Sequence, residues 1–169
     1  MVGASGKEHP FYSPPVPQSG AKRPTMFVGE FEHNLDNKGR LTIPARFKDA
    51  LAGGIVITRG LDGCLWAFTR EAWQDIAQRI ASLPMSNVNA RKFRRFIISG
   101  AAEAIPDRNG RVIIPQKLRE FAGIDGEVVV AGAIDRLEIW SPERWANEQD
   151  SITEDPENLA AQLAELGIL

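Results

Sequence analysis

The sequence has one cysteine and two histidines among its 169 residues. Cys64 alone cannot form an intramolecular disulfide or a cysteine zinc cluster. His9 lies in a Pro-rich stretch and His33 lies near a predicted turn, so a Cys-His pair or a Ser-His-Asp triad has no obvious base. Glycine-rich phosphate loops and metal-ligand spacings are also missing. We therefore predict that the chain is not an enzyme and uses no cofactor, metal or small-molecule ligand.

Long apolar runs are missing too. No stretch approaches the roughly 20 residues that span a bilayer, and the N-terminal segment lacks the apolar core of a secretory signal. We expect a cytoplasmic protein that does not bind membranes. The net charge is −2, but residues 148–169 carry six acids and no base, whereas residues 26–147 carry 17 basic and 15 acidic residues. A near-neutral body can still bind nucleic acid if its arginines share one face.

The chain divides into segments of different amino-acid composition. Its N-terminal stretch is rich in Pro, Ser and Gly and predicts a disordered extension; Met26 is an alternative start of translation. The predicted segments are a disordered extension (1–25), a first unit (26–85), a connecting basic helix (86–100), a second unit (101–147) and an acidic tail with a helix (148–169).

An internal repeat relates the two units. Shifting the chain by 71 residues aligns residues 36–51 with residues 107–122, and five of sixteen positions are identical. About one identity is expected by chance from average composition. Charge sign is also kept at three aligned pairs. The pairs are Arg46 with Lys117, Lys48 with Arg119, and Asp49 with Glu120. Two copies of one structural unit are therefore predicted.

Both copies predict the same local structure. The motifs "DNKG" and "DRNG" each combine a turn-starting Asp with a Gly suited to a positive φ, and short strands flank them, as in a hairpin. Pro44 and Pro115 predict the first position of a short helix. Two further strands follow in each unit. Longer helices are predicted to have N-terminal caps at Thr69, Ser86, Ser141 and Asp155.

The repeated Asp and Arg across each turn are the main candidate site. Each pair, Asp36 with Arg40 and Asp107 with Arg111, could be only a surface ion pair worth at most about 1 kcal/mol. Recurrence at the same spacing favours a functional role. Two arginines presented from one face suit forked contacts with guanine O6 and N7. The neighbouring cations, Lys38 and Arg108, are predicted to meet phosphates.

Two other clusters have simpler interpretations. The basic residues of the connecting helix favour a solvated face, with a nucleic-acid contact or a contact with a neighbouring protomer as alternatives. The tryptophans recur at corresponding places in the two units, which favours core packing over base stacking. The residues are Arg91, Lys92, Arg94 and Arg95 in the helix, and Trp66, Trp73, Trp140 and Trp145.

The segments "MFVGEFEHNLDNKGRLTIPARFK", "RRFIISGAAEAIPDRNGRVIIPQKLREFAGI" and "LEIWSPERW" resemble the MraZ family of bacterial transcriptional regulators, from Met26 to about Asn147. The resemblance implies an AbrB-like fold: an α+β, mainly β architecture in which two tandem units form a swapped-hairpin β-barrel with flanking helices. It also implies ring-shaped homo-oligomers and binding to double-stranded DNA. Carried over, the DNA-binding motif is Asp36 with Arg40 and Asp107 with Arg111.

The resemblance predicts a sequence-specific, nucleoid-associated regulator, a repressor, of its own operon in the division and cell wall gene cluster. Short G-containing direct repeats upstream of that operon are the expected operator. Two alternatives remain. One is an antitoxin-like AbrB relative whose acidic C-terminal helix masks a toxin. The other is a ring-forming scaffold whose Asp-Arg pairs only stabilise turns.

Overall fold

The computed structural model describes residues 25–168, which form eight strands and six α-helices. The first unit contains β1 (Glu30–Asn34), β2 (Arg40–Thr42), a 3-10 turn (Ala45–Phe47), α1 (Lys48–Leu51), β3 (Ile55–Arg59), β4 (Leu65–Thr69) and α2 (Arg70–Ala81), followed by the connecting helix α3 (Val88–Ser99). The second contains β5 (Ala102–Ala104), β6 (Arg111–Ile113), α4 (Gln116–Ala122), β7 (Glu127–Gly132), β8 (Leu137–Trp140), α5 (Pro142–Glu154) and α6 (Pro156–Glu165).

The strands of the two units are interleaved. Six strands form one antiparallel sheet in the order β1-β7-β8-β4-β3-β5, and β2 pairs with β6 in a separate two-stranded ribbon. Exchanging each strand for its counterpart in the other unit leaves this order unchanged. The outer strands β1 and β5 each pair only with a strand of the other unit. Neither unit therefore completes its own sheet, as expected for halves too small to build separate cores.

The α+β class and the two repeated units are confirmed. The mainly β prediction is wrong within residues 25–168, where the α-helices hold more residues than the strands. Every strand pair in these residues is antiparallel. A closed barrel is not found within residues 25–168: the sheet ends at β1 and β5, which do not pair with each other. The difference lies in the strand pairing, because β2 and β6 pair with one another outside the main sheet. The exchange of strands between units is present without the predicted closure.

The larger of two apolar clusters in the described residues joins the ribbon to the sheet. Leu41 of β2 and Val112 of β6 are buried and belong to the same cluster as Phe47, Leu51 and Leu118 of the short helices. Each such side chain contributes about 1.5–3 kcal/mol when fully buried. The inner face of the ribbon is therefore anchored to the core, which fixes the direction of the outer face.

Three of the four predicted helix caps are confirmed: the side chains of Thr69, Ser141 and Asp155 accept a hydrogen bond from a backbone N–H in the first turn of their helices. The cap predicted at Ser86 is wrong. Asn87 Oδ1 accepts from the N–H of Ala90 at 3.0 Å and caps α3. Ser and Asn are both good caps, so the local sequence did not distinguish these neighbours.

The prolines lie one position earlier than predicted. Pro44 and Pro115 are the N-cap residues of the 3-10 turn and of α4, with ψ values of 134° and 144°. Their backbone is therefore still extended, and the helical residues begin immediately after them. The buried residues of these short helices belong to the predicted apolar faces; they are Phe47, Leu51, Leu118 and Ala122.

Arg94 of α3 has a packing role that was not predicted from the sequence. NH2 of Arg94 donates to the carbonyl oxygens of Ile80, Ala81 and Leu83 at 3.1, 2.9 and 3.2 Å. These are carbonyls of the last turn of α2 and of the loop after it, where the regular helical hydrogen bonds end. Arg94 thus joins α2 to α3, and Lys92 and Arg95 remain as the exposed cations of this helix.

The packing role predicted for the tryptophans agrees with the structure. Trp140 is buried, and its ring centroid lies 5.6 Å from that of Trp145. The Trp66 ring lies beneath the guanidinium of Arg136, 4.6 Å from the ring centroid. Trp73 packs beside Phe68, with ring centroids 5.9 Å apart.

Candidate nucleic-acid interface

The first turn is closed by one carboxylate. Asp36 Oδ1 accepts hydrogen bonds from the backbone N–H groups of Lys38 and Arg40, both at 2.9 Å, and Oδ2 accepts from Arg40 Nε at 2.5 Å. The N–H of Gly39 donates to the Asp36 carbonyl at 3.0 Å, and Gly39 has a φ of 74°. Asp36 therefore shapes the turn and holds the arginine side chain at the same time.

The second turn repeats this arrangement. Asp107 Oδ1 accepts from the N–H groups of Asn109 and Arg111 at 2.9 Å, and Oδ2 accepts from Arg111 Nε at 2.9 Å. The N–H of Gly110 donates to the Asp107 carbonyl at 2.8 Å, with a φ of 72° at Gly110. The repeat found in the sequence is thus a repeat of hydrogen bonds.

Both carboxylates are held in their ionised form. The hydrogen bond from the Arg40 N–H is the main cause that lowers the pKa of Asp36 to about 2, and the Arg40 side chain adds to it against partial desolvation. The pKa of Asp107 is lowered by the equivalent bonds from Arg111. Each Asp-Arg pair therefore keeps both of its charges at neutral pH.

The pairing of β2 with β6 brings the two arginines onto one surface. Arg40 lies opposite Ile113, and Arg111 lies opposite Thr42. Side chains alternate along a strand, and Leu41 and Val112 point into the core. The outer face of the ribbon carries Arg40 and Thr42 from β2 and Arg111 and Ile113 from β6. The two arginines thus stand diagonally across a ribbon two strands wide.

The outer ends of both arginines have donors to spare. The side chains of Arg40 and Arg111 are 24% and 30% exposed. Each uses Nε for its aspartate, and no residue within 25–168 accepts a hydrogen bond from NH1 or NH2 of either side chain. Two parallel N–H donors suit a ligand with two adjacent acceptors. Lys38 and Arg108 are exposed beside them in the turns.

The surface around the ribbon is basic although the chain is not. Residues 36–49 and 107–120 together contain eight Lys or Arg and four acids, a net charge of +4, against −2 for the whole chain. A cavity of about 780 Å³ between α1 and α2 has the opposite character, since Asp49, Glu71, Asp75 and Asp135 line it beside Arg79. The net charge of the segments around the ribbon is therefore positive, whereas the lining of this cavity is mainly acidic.

Other kinds of site find little support in the part of the chain that the structure describes. Residues 25–168 contain no group of three or more His, Cys, Asp or Glu placed to hold a metal ion. Burial raises the pKa of the Cys64 thiol to about 12, so it is not a thiolate nucleophile at neutral pH. Within the same residues, no helix has both the length and the apolar character required to cross a membrane.

Two cations without a predicted role lie against the turns. Arg119 of α4 lies against Gly39, and Lys48 of α1 lies against Gly110. Each cation comes from the unit that does not contain the turn. The signal was present in the repeat, which aligns Lys48 with Arg119, but the exchange of strands that brings them to the turns was needed to interpret it.

The fold and the site define a class: a tandem-repeat protein with interleaved strands whose ribbon presents a pair of carboxylate-held arginines. A family described as "MraZ protein, putative antitoxin-like" matches residues 26–96 and 97–165, one match for each unit. The chain belongs to the MraZ family. The second match extends beyond Asn147, where the sequence resemblance was placed to end, and includes most of the acidic tail.

Curated relatives support the same assignment. The chain is 49% identical over 141 residues to the transcriptional regulator MraZ of Roseiflexus castenholzii, covering 83% of this chain and 99% of that protein. It is 46% identical over 143 residues to the transcriptional regulator MraZ of Halothermothrix orenii, and 43% identical over 143 residues to that of Clostridium beijerinckii. Both of these cover 85% of this chain and 100% of the relative.

Proposed function

We propose that this protein is a sequence-specific DNA-binding transcriptional regulator that reads DNA with the outer face of the β2–β6 ribbon. The observation that carries the proposal is the placement of Arg40 and Arg111 on one face of a single two-stranded ribbon. The major groove of B-DNA, about 12 Å wide, admits such a ribbon. The names of the curated relatives support a role in transcription.

In this proposal each residue of the turns has a separate role. NH1 and NH2 of Arg40 and Arg111 donate to guanine O6 and N7, the forked contact for which a guanidinium is suited. Asp36 and Asp107 orient the arginines through Nε. The exposed cations at the turn tips, Lys38 and Arg108, contact phosphates and fix the register of the protein on the duplex.

The regulatory context is part of the same proposal. We place the protein in the cytoplasm, associated with the nucleoid, as a repressor of its own operon in the division and cell wall gene cluster. Two arginines per chain give modest affinity. Ring-shaped homo-oligomers that contact several direct repeats upstream of the operon would raise the overall affinity through effective concentration.

A mobility-shift assay with a duplex from upstream of the protein's own gene tests the proposal. The wild-type chain should shift this duplex more strongly than a scrambled duplex of equal length. Arg40→Ala and Arg111→Ala should each lose the preference and keep the oligomeric state seen by light scattering. Arg95→Ala, which removes an exposed arginine from α3, is the matched control and should bind as the wild type does. Undiminished preference in both ribbon variants would refute the assignment.

One observation favours a second function. Helix α6 contacts the rest of the chain mainly through α5, and Leu159 and Leu163 on it are half-buried. An antitoxin-like protein would use this segment to mask a toxin, in line with the description of the family. The test is a chain that ends at residue 154. A partner that co-purifies only with the full chain, and whose toxicity only the full chain relieves, would establish this role, and a truncated chain with unchanged behaviour would remove it.

The same mobility-shift assay distinguishes a DNA-binding regulator from a ring-forming scaffold. An intact oligomer that shifts neither the upstream duplex nor the scrambled one would leave the Asp-Arg pairs with only a structural role. A preferential shift that is lost with either arginine removes that alternative.

A further inference from the structure

Each turn of the ribbon packs against a cation supplied by the other unit. A Cβ atom built on Gly39 would lie 2.8 Å from Cζ of Arg119, and one built on Gly110 would lie 2.8 Å from Cε of Lys48. Both glycines therefore leave space that a long basic side chain occupies. Because Lys48 and Arg119 are equivalent residues of the two units, the packing is reciprocal.

The exchange of strands produces this arrangement. The N–H of Ile43 donates to the carbonyl of Gly110 at 2.8 Å, and the N–H of Ile114 donates to the carbonyl of Gly39 at 2.9 Å. Each ribbon strand thus ends beside the turn of the other unit. The short helices α1 and α4 follow within a few residues. This places Lys48, the first residue of α1, and Arg119, the fourth residue of α4, beside the turns of the other unit.

The charges of these two cations are not used within the described chain. Lys48 is exposed, and none of residues 25–168 forms a hydrogen bond or ion pair with its Nζ. Arg119 donates from Nε to the Ile114 carbonyl at 3.0 Å, and its NH1 and NH2 have no acceptor within the same residues. One side chain is tethered and the other is not, so what the two turns share at this position is a positive charge.

The second turn and α1 also share an open groove. It has a volume of about 240 Å³, and Lys48, Asp49, Asp107 and Arg108 are among the residues that line it. The Asp107 carboxylate is already bound to Arg111, so Asp49 is the other acid that lines the groove with Lys48 and Arg108. Since a water occupies about 30 Å³, the groove has room for a phosphate oxygen atom and its hydration.

We propose that Lys48 and Arg119 are DNA-backbone contacts supplied in trans, so that each reading turn is composite. The arginine that reads bases and the aspartate that holds it come from one unit, and a phosphate-binding cation comes from the other. This inference rests on the proposed function and extends it. A single unit would then lack a complete turn site, which accounts for the presence of both units in one chain.

The test measures binding of the full chain to the upstream duplex and to the scrambled duplex as a function of salt. Removing one phosphate contact lowers the slope of log affinity against log salt by about 1 and weakens binding equally across sequences. Lys48→Ala and Arg119→Ala should each show this change with an unaltered ratio of the two affinities. Lys92→Ala and Arg95→Ala, which remove the same charges from exposed positions of α3, should leave the slope unchanged.

Arg119→Lys separates charge from packing. If Arg119 binds a phosphate, the lysine variant should restore the salt slope, because a phosphate contact needs a point charge rather than a fork. Lys48→Ala loses no internal hydrogen bond, so circular dichroism should show an unaltered fold. Wild-type binding together with unchanged slopes in both alanine variants would overturn the inference and leave the proposed function intact. A wild-type chain without preference for the upstream duplex would overturn the proposed function itself.

Discussion

The turns at residues 36–40 and 107–111 share the same hydrogen bonds but differ in what surrounds them. The Arg40 pair is 2.5 Å from Nε to carboxylate and the Arg111 pair is 2.9 Å, and the first arginine is less exposed, at 24% against 30%. The first turn is covered by a tethered arginine from α4, whereas the second is covered by an untethered lysine from α1.

The turns also differ on their outer faces. The extra cation of the first turn is Lys38, two residues after the aspartate, whereas Arg108 directly follows its aspartate. Arg40 lies opposite the apolar Ile113, and Arg111 lies opposite the polar Thr42. The two turns share the aspartate that holds an arginine through its Nε atom. They differ in the residues around that arginine. In the proposed function, these differences would let the two turns contact neighbouring DNA segments of unequal sequence.

The largest effect, on discrimination between DNA sequences, is expected when the arginines of the two turns are changed. Arg40→Lys and Arg111→Lys keep the charge but remove the fork, so each should cost about 1–3 kcal/mol of discrimination between the upstream and scrambled duplexes. Fluorescence anisotropy on both duplexes measures this loss. The salt dependence should be unchanged. A lysine variant that keeps full discrimination in one turn would show that the turns are not equivalent readers.

A smaller effect is expected on the free energy of unfolding, and its size should differ between the two turns. An alanine at a positive φ costs about 1–2 kcal/mol, which applies to both Gly39→Ala and Gly110→Ala. The added methyl meets a tethered guanidinium in the first turn and a flexible lysine end in the second. Gly39→Ala should therefore lower the unfolding free energy more than Gly110→Ala in urea denaturation. Equal losses would mean that Arg119 moves aside as easily as Lys48.

The carboxylates predict a pH dependence of stability. Asp36 has its pKa lowered from 3.8 to about 2, so the stabilisation it provides is complete above about pH 4 and is lost as the pH falls toward 2. Asp36→Asn should lower stability at pH 7 and reduce the loss on acidification across this window. Asp107→Asn should do the same just below pH 3.8, because its pKa shifts in the same direction. Thermal unfolding at pH 2 to 7 measures both, and parallel curves for wild type and variants would contradict the role of the carboxylates.

The smallest effect concerns the outer face. Ile113→Thr gives Arg40 the same kind of neighbour that Arg111 has, and Ile113 is 58% exposed, so stability should change by no more than about 0.5 kcal/mol. If Ile113 packs against a thymine methyl group, affinity for the upstream duplex should fall while affinity for the scrambled duplex stays the same. Thr42→Ile is the complementary variant. Equal affinities for wild type and both variants would place these two residues outside the contact surface.

Local features of the fold were readable in the sequence because nearby residues determine them. The two turns needed only an Asp, a Gly and flanking strand residues, and the structure has both with their positive-φ glycines. The caps at Thr69 and Ser141 were local signals of the same kind. The repeat spacing identified the two arginines as a pair without any knowledge of their neighbours.

Features that depend on distant residues were not readable. Strands β2 and β6 have three residues each, too few for a pattern that selects a partner about 70 residues away. Their pairing decides that the barrel does not close within the described residues and that Lys48 and Arg119 reach the opposite turns. The role of Arg94 likewise required the end of α2 beside α3, which no local pattern encodes.

In the proposed function, the outer face of the ribbon reads DNA and the basic face of α3 does not. The most direct test compares Arg40→Ala/Arg111→Ala with Lys92→Ala/Arg95→Ala, two double variants that each remove two positive charges. The measured quantity is the ratio of affinities for the upstream and scrambled duplexes at fixed salt. We expect a ratio near 1 for the ribbon variant and the wild-type ratio for the α3 variant. A ribbon variant that keeps the wild-type ratio, or an α3 variant that loses it, would refute DNA reading by the ribbon.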